Sequence, residues 1–250
     1  MIKLLFVFVW KQIILKYKYT HTPMDKLIIF VHTCGKYENS RAKKIENTWG
    51  GVENVVFITD KPDSCLKNNI CIGEYKSGHT YHPENVKKMF NIFLEKYTNY
   101  DWFMIIDDDS YLYIERLKKY LEFQNKTESI MIGDILNWCT FRPDKIEEGY
   151  SYKLWMGGGP GIVFTKKCIE IFLKLMDDFK GKYENHDVWL NNIFQEKGKK
   201  LIKRIHCCGF HQYRIYKLSE DELTQIPKNL LISIHLNRDL DFLDKFHNLR

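Results

Sequence analysis

Proline and glycine are scarce in this 250-residue chain, at six and 14, and no stretch is rich enough in either to read as a linker or a low-complexity tract. No internal repeat is visible, so a single domain is expected. The seven cysteines, Cys34, Cys65, Cys71, Cys139, Cys168, Cys207 and Cys208, form no CxxC pair, which removes the usual frame of a structural zinc site. Cys65 and Cys71 share a short polar loop where a bridge is sterically allowed, although the all-reduced state is equally compatible, and Cys168 reads as a buried helical thiol. A run of about 20 apolar residues, enough to cross a bilayer, is also missing. Met1 to Trp10 and Ile13-Ile14-Leu15 are apolar, but Lys3 and Lys11 interrupt them, and Tyr17-Lys18-Tyr19-Thr20-His21 offers no small-residue cleavage site. Residues 1–25 are therefore expected to be a leader: a weak uncleaved anchor meeting a membrane through residues 1–16, a peripheral segment, or an unstructured stretch, with Met24 as an alternative start. The net charge of +6 is dispersed. It suits phosphate-bearing ligands but draws no basic stripe, so nucleic acid is not an expected partner.

What is present is ample apolar material, 44% hydrophobic and 15% aromatic, enough for one large core. From Lys26 onward, short β-rich runs alternate with helical ones, the pattern of an α/β sandwich on a largely parallel sheet. Leu27 to Val31 reads as the first strand. Ser40 can cap a helix through Ile45 to Trp49 that Gly50-Gly51 stops, and Val55 to Thr59 is a second strand ending at Asp60. Pro83 suits the first turn of a helix carrying Val86, Met89, Phe90, Phe93, Leu94 and Tyr97 on one face. Trp102 to Ile106 is a continuous apolar run, as expected of a strand buried on both faces. Ile130 to Ile132 and Gly161 to Phe164 are later strands. Thr165 can cap a helix bearing Ile169, Phe172, Leu173, Met176 and Phe179, and a further helix is expected from about Val188 to Glu196.

The apolar run breaks directly into Asp107-Asp108-Asp109. Three carboxylates crowded at a buried strand end repel one another, and a divalent cation would offset that charge. Mg²⁺ and Mn²⁺ take oxygen ligands and bridge carboxylates to phosphates, and open α/β sheets bind ligands beyond the strands' carboxyl ends. A solvated acidic turn is the plain alternative.

The segment Trp102 to Tyr111 resembles the "DWF, apolar, DDD, Thr/Ser-Tyr" stretch of the Fringe and core-1 β1,3-galactosyltransferase superfamily. Other stretches agree in order. Arg41 with Trp49 is similar to that family's first helix, Phe57-Ile58-Thr59-Asp60 to its "FxTD" strand end, and Met131-Ile132-Gly133 to the strand after the acids. Trp155 to Gly161 resembles its glycine-rich stretch, Glu184-Asn185-His186-Asp187 its acidic segment, Cys208 to Gln212 its "FH" segment, and Ile232 to His235 the "S(I/L)H" near the end of fringe-like proteins. The likeness runs from about Lys26 to Arg238.

This resemblance implies a GT-A fold over residues 26–250, an inverting glycosyltransferase, a UDP-sugar donor, Mn²⁺ (Mg²⁺ as the alternative), and a β1,3-linked product on a glycan or glycoprotein acceptor. Asp109 with Asp107 would hold the metal. His211 is the expected third protein ligand, with His235 as the rival. Asp187 is the expected general base, although it could simply cap its helix. The expected donor contacts are Thr33, Arg41, Asp60, Asp107, Asp108, Gly158 and Gly159, with the glycines letting backbone approach a sugar. Arg41 in a surface ion pair and Trp155 as a core residue are the bland alternatives. Golgi or ER membrane residence with a lumenal domain follows from the family, with a cytoplasmic location as the alternative; Asn125-Lys126-Thr127 is a sequon compatible with the lumen. Two rival functions are a haloacid-dehalogenase-like phosphatase, which also has a strand followed by DxD, and an inactive carbohydrate-binding or chaperone-like relative.

Overall fold

The computed structural model describes residues 26–73, 83–137, 154–179, 185–212 and 230–236, with positions 243, 246 and 247. The leader, Cys139 and Glu184 lie outside the described residues. Strands β1 (Leu27–His32), β2 (Val55–Thr59), β3 (Asn69–Cys71) and β4 (Trp102–Asp107) are mutually parallel neighbours, in the order β3-β2-β1-β4. The sheet then continues through β8 (Ile162–Thr165), antiparallel to β4, and β6 (Ile130–Asn137). β7 (Leu154–Gly157) pairs with β6 antiparallel, and β9 (Lys203–His206) pairs with it in parallel. The sheet is thus mixed, with its parallel half in the chain's first part. A small second sheet joins β10 (Phe210–Gln212), β11 (Ser233–His235) and β5 (Ser110–Leu112).

Strand alternation divides the core into two layers. Leu27, Ile29, Val31, Trp102, Met104 and Ile106 face one side with Trp49, Leu117 and Phe246. Ile28, Phe30, Phe103 and Ile105 face the other, under the helices Pro83–Lys96, Lys166–Asp177 and His186–Ile193. Both faces of β1 and β4 are covered, which is why their sequences are unbroken apolar runs. Phe30 and Phe103 meet edge to face, centroids 4.8 Å apart, and each buried ring contributes on the order of 2 kcal/mol.

The first helical stretch runs through Glu38–Ala42, Lys43–Ile45 and Glu46–Gly50. It starts at Glu38 rather than behind Ser40, whose hydroxyl instead donates to the Tyr37 carbonyl within the first turn. Thr165 does cap its helix, accepting from the Cys168 N–H at 3.3 Å. Cys65 and Cys71 are both free thiols, and Cys168 is fully buried.

The break between β7 and β8 shapes everything that follows. Asp134 pairs with Gly157, and Ile132 pairs with Val163, so the residues between Gly157 and Val163 face Gly133 alone. An otherwise continuous strand bulges out as a glycine-rich loop toward the end of β4. Gly161 has φ of 99° there, a left-handed conformation that excludes ordinary side chains. Two hydroxyls pin the loop: Ser110 donates to the Gly159 carbonyl at 2.7 Å and Ser233 to the Pro160 carbonyl at 2.6 Å.

Candidate active site

β4 ends at Asp107, β5 begins at Ser110, and the tight turn between them holds Asp108 and Asp109. β11 pairs antiparallel with β5 so that His235 lies opposite Ser110. This register carries the imidazole back over the acids: His235 Nε2 is 2.9 Å from Asp109 Oδ1. Asp107, Asp109 and His235 each offer one ligand atom within 4.8 Å of the others. Two carboxylate oxygens and one imidazole nitrogen are a donor set suited to Mn²⁺ or Mg²⁺, so these residues fit the divalent ion that the sequence pattern implies.

His211 is elsewhere. Residues alternate along β10, so Phe210 and Gln212 share one face and His211 the other, where it lies against the Cys208 backbone and near His206. The histidine that joins the acids is His235, the rival in the sequence reading.

The third acid has a different task. Asp108 is buried, accepts from the Thr33 hydroxyl at 2.7 Å and from Arg41 Nη1 at 3.1 Å. Arg41 also reaches Asp109 Oδ2 at 3.3 Å and stacks over the Tyr37 ring at 3.9 Å. Thr33 and Arg41 therefore meet the acid cluster directly. Burial, helped by the charge of Asp109, pushes the Asp108 carboxyl up to about 6 despite both hydrogen bonds. For His235, burial alone would lower the pKa, but the hydrogen bond and charge of Asp109, with Asp107 and Asp187 behind it, raise it.

Asp187 sits in the first turn of the helix His186–Ile193 and is 8% exposed. Its Oδ2 accepts from the Gly158 N–H at 3.0 Å and its Oδ1 from the Val188 N–H at 2.7 Å. The glycine loop thus ties Asp187 to the acid and histidine cluster. Asp60, at the end of β2, accepts from the Gly35 N–H at 2.6 Å, at the same carboxyl edge of the sheet.

The glycines were expected to leave room for a sugar, yet the protein's own side chains fill that room. A methyl group on Gly157 would overlap the Gln212 amide, one on Gly158 the His186 ring and Asp187 Cβ, and one on Gly159 the His235 ring. Gly158 and Gly159 serve first as slots for site side chains. Trp155, the second residue of β7, is 9% exposed. Three further residues were not singled out from sequence. His32, at the end of β1 beside Asp107, and His186 are buried and held toward the neutral form by that burial; Gln212 is 4% exposed beneath His235.

Comparison with known proteins gives a consistent picture. A Fringe-like family model matches residues 22–246. The chain is 25% identical over 225 residues to a mouse protein named beta-1,3-glucosyltransferase, covering 87% of this chain and 42% of the relative. It is 27% identical over 162 residues to human chondroitin sulfate synthase 3, covering 59% of this chain and 18% of that one. The chain therefore spans less than half the length of these curated relatives. Among solved structures, the apo form of WbbM, a bifunctional glycosyltransferase, superposes with a TM-score of 0.51 at 13% identity, over 92% of this chain and 50% of that one, a likeness of fold. The ordered motifs, the GT-A architecture and the match over nearly the whole chain place it in the Fringe-like family.

Proposed function

We propose that this chain is the catalytic domain of an inverting, Mn²⁺-dependent glycosyltransferase that moves a hexose or N-acetylhexosamine from a UDP-sugar to a hydroxyl of a glycan or glycoprotein, forming a β1,3 linkage. One observation carries the reading: Asp107, Asp109 and His235 converge on one point, and Gly158 links that point to Asp187. The name of the mouse relative, a beta-1,3-glucosyltransferase, supports the linkage.

Asp107, Asp109 and His235 would hold the cation, which when bound would neutralise the charge left on the departing diphosphate. Arg41 and Thr33 fix Asp108 and so hold the turn that carries Asp109. Asp187 takes the proton of the acceptor hydroxyl while that oxygen bonds to the anomeric carbon and the bond to the diphosphate oxygen breaks. Direct attack of this kind inverts the anomeric configuration. The two backbone N–H groups on Asp187 orient its carboxylate but leave lone pairs for the incoming proton.

A panel of UDP-sugars tests the reading. With Mn²⁺, one of them should release UDP, slowly to water and faster to an added glycan acceptor, and linkage analysis of the product should show a β1,3 bond. Release that is indifferent to Mn²⁺, or no UDP binding by calorimetry with Mn²⁺ present, would overturn it.

A further inference from the structure

His235 has two ring nitrogens, and only one arrangement of its proton leaves the metal-facing nitrogen open. Nε2 faces Asp109, so a neutral ring that ligates a cation through Nε2 must carry its hydrogen on Nδ1. Nδ1 lies 2.7 Å from Gln212 Oε1. A carbonyl oxygen can only accept, so this contact keeps a hydrogen on Nδ1, and a cation that takes the Asp109 carboxylate then frees Nε2 rather than Nδ1. We propose that Gln212 is the positioning residue of the site: it fixes the tautomer and tilt of His235 so that Nε2 is presented to a cation shared with Asp107 and Asp109. This rests on the metal-binding reading of that cluster.

Three features of the fold serve this contact. Gln212 and His235 are register partners in the parallel β10–β11 pair, so the two side chains leave adjacent strands on the same face. Gly157 makes space for the Gln212 amide, which a Cβ there would strike, and Gly159 does the same for the His235 ring. Gln212 is 4% exposed, which keeps water from competing for its oxygen. The residue type also matters. Asp107, Asp108, Asp109 and Asp187 already crowd this end of the sheet, and a neutral amide sets the tautomer without adding another negative charge. An amide turned the other way would donate to Nδ1, place the proton on Nε2 and close the ligand position.

The experiment has two readouts on the full chain. Mn²⁺ affinity, followed by the loss of the free-ion EPR signal, should fall roughly 10–100-fold in Gln212→Met, which keeps chain length but removes the acceptor. It should stay within about threefold of wild type in Gln212→Glu, which still accepts from Nδ1–H. Nitrogen NMR of His235 in metal-free protein should show a hydrogen on Nδ1 in wild type and Gln212→Glu, whether or not Nε2 also carries one toward Asp109, and its loss from the neutral ring in Gln212→Met. A wild-type ring with no hydrogen on Nδ1, or a Gln212→Met variant that binds Mn²⁺ as tightly as wild type, overturns the proposal. If wild type binds no Mn²⁺, the metal reading falls, while the wild-type tautomer still decides the role of Gln212 even should the Met variant fail to fold.

Discussion

His235 Nε2 stands 2.9 Å from Asp109 Oδ1 because His235 pairs in register with Ser110, the residue that follows Asp109. Sheet pairing, rather than loop placement, sets this distance, so the two groups should act on the same ion. Asp109→Asn and His235→Ala should each weaken Mn²⁺ binding by roughly tenfold or more. Combined, they should cost less than the two effects added together, since the second change removes a ligand from a site already broken. His211→Ala, on the opposite face of β10, should leave Mn²⁺ affinity within about twofold of wild type. Calorimetric titration of the four proteins checks all three statements. Stripping the protein with a chelator should abolish donor turnover, and added Mn²⁺ should restore it.

Asp187 is separable from that ion. Its carboxylate is oriented by the N–H groups of Gly158 and Val188, and the Asn side chain has nearly the same shape but no basic oxygen. Asp187→Asn should lower kcat by about 10²–10⁴-fold, the usual contribution of a general base, with UDP and Mn²⁺ affinities nearly intact. Loss of binding together with turnover would instead mark a structural role in holding the glycine loop.

The parts of this fold that were legible in the sequence are those where one local rule decides. β1, β2 and β4 were readable as apolar runs because both their faces are buried, and the helix Lys166–Asp177 because Thr165 caps an amphipathic stripe. The strands β3, β5, β10 and β11 are three residues each, too short to show a period. Their pairing is non-local, and so is everything that depends on it. That is why the acids at the end of β4 could be named from the sequence alone while their histidine could not: His211 lies within one short strand and His235 ends another, and only the β11–β5 register brings one of them to Asp109. The glycine run was legible as a run, but its reason lay in three side chains, Gln212, His186 and His235, that are distant in sequence.

Glu38 should give the fold an acid-sensitive contribution away from the site. It is buried in the first turn of the first helix, where it accepts from the Cys65 N–H at 3.0 Å and from Lys61 Nζ at 3.3 Å. Burial would raise its pKa, but these bonds, with those from the Cys65 and Ser64 side chains, hold it at about 2. A carboxylate depressed in the folded state stabilises fully above its unfolded pKa, and that stabilisation is lost as pH falls from about 4.5 to about 2. Glu38→Gln should therefore be less stable than wild type at neutral pH by roughly 2–3 kcal/mol. The gap should close as pH is lowered through that window. Urea midpoints measured from about pH 7 to about pH 2.5 read this directly.

Two glycines in one loop should fail in different ways when replaced by alanine. At Gly161 the backbone has φ of 99°, and an added Cβ would press on Met104 and the Ile105 carbonyl, so the cost falls on folding: about 1–3 kcal/mol of stability lost, read as a lower denaturation midpoint. At Gly159 the backbone is not left-handed, and the added methyl would meet the His235 ring itself. The ring is the movable partner in that clash, because its backbone is held by β-pairing to Ser110 and Gln212 whereas the ring is held by side-chain contacts alone. Gly159→Ala should therefore lower Mn²⁺ affinity by roughly tenfold or more, comparable to losing the histidine, with a smaller loss of stability than Gly161→Ala. If Gly159→Ala instead leaves Mn²⁺ binding unchanged, the imidazole does not need the slot, and His235 would not be the third ligand beside Asp107 and Asp109.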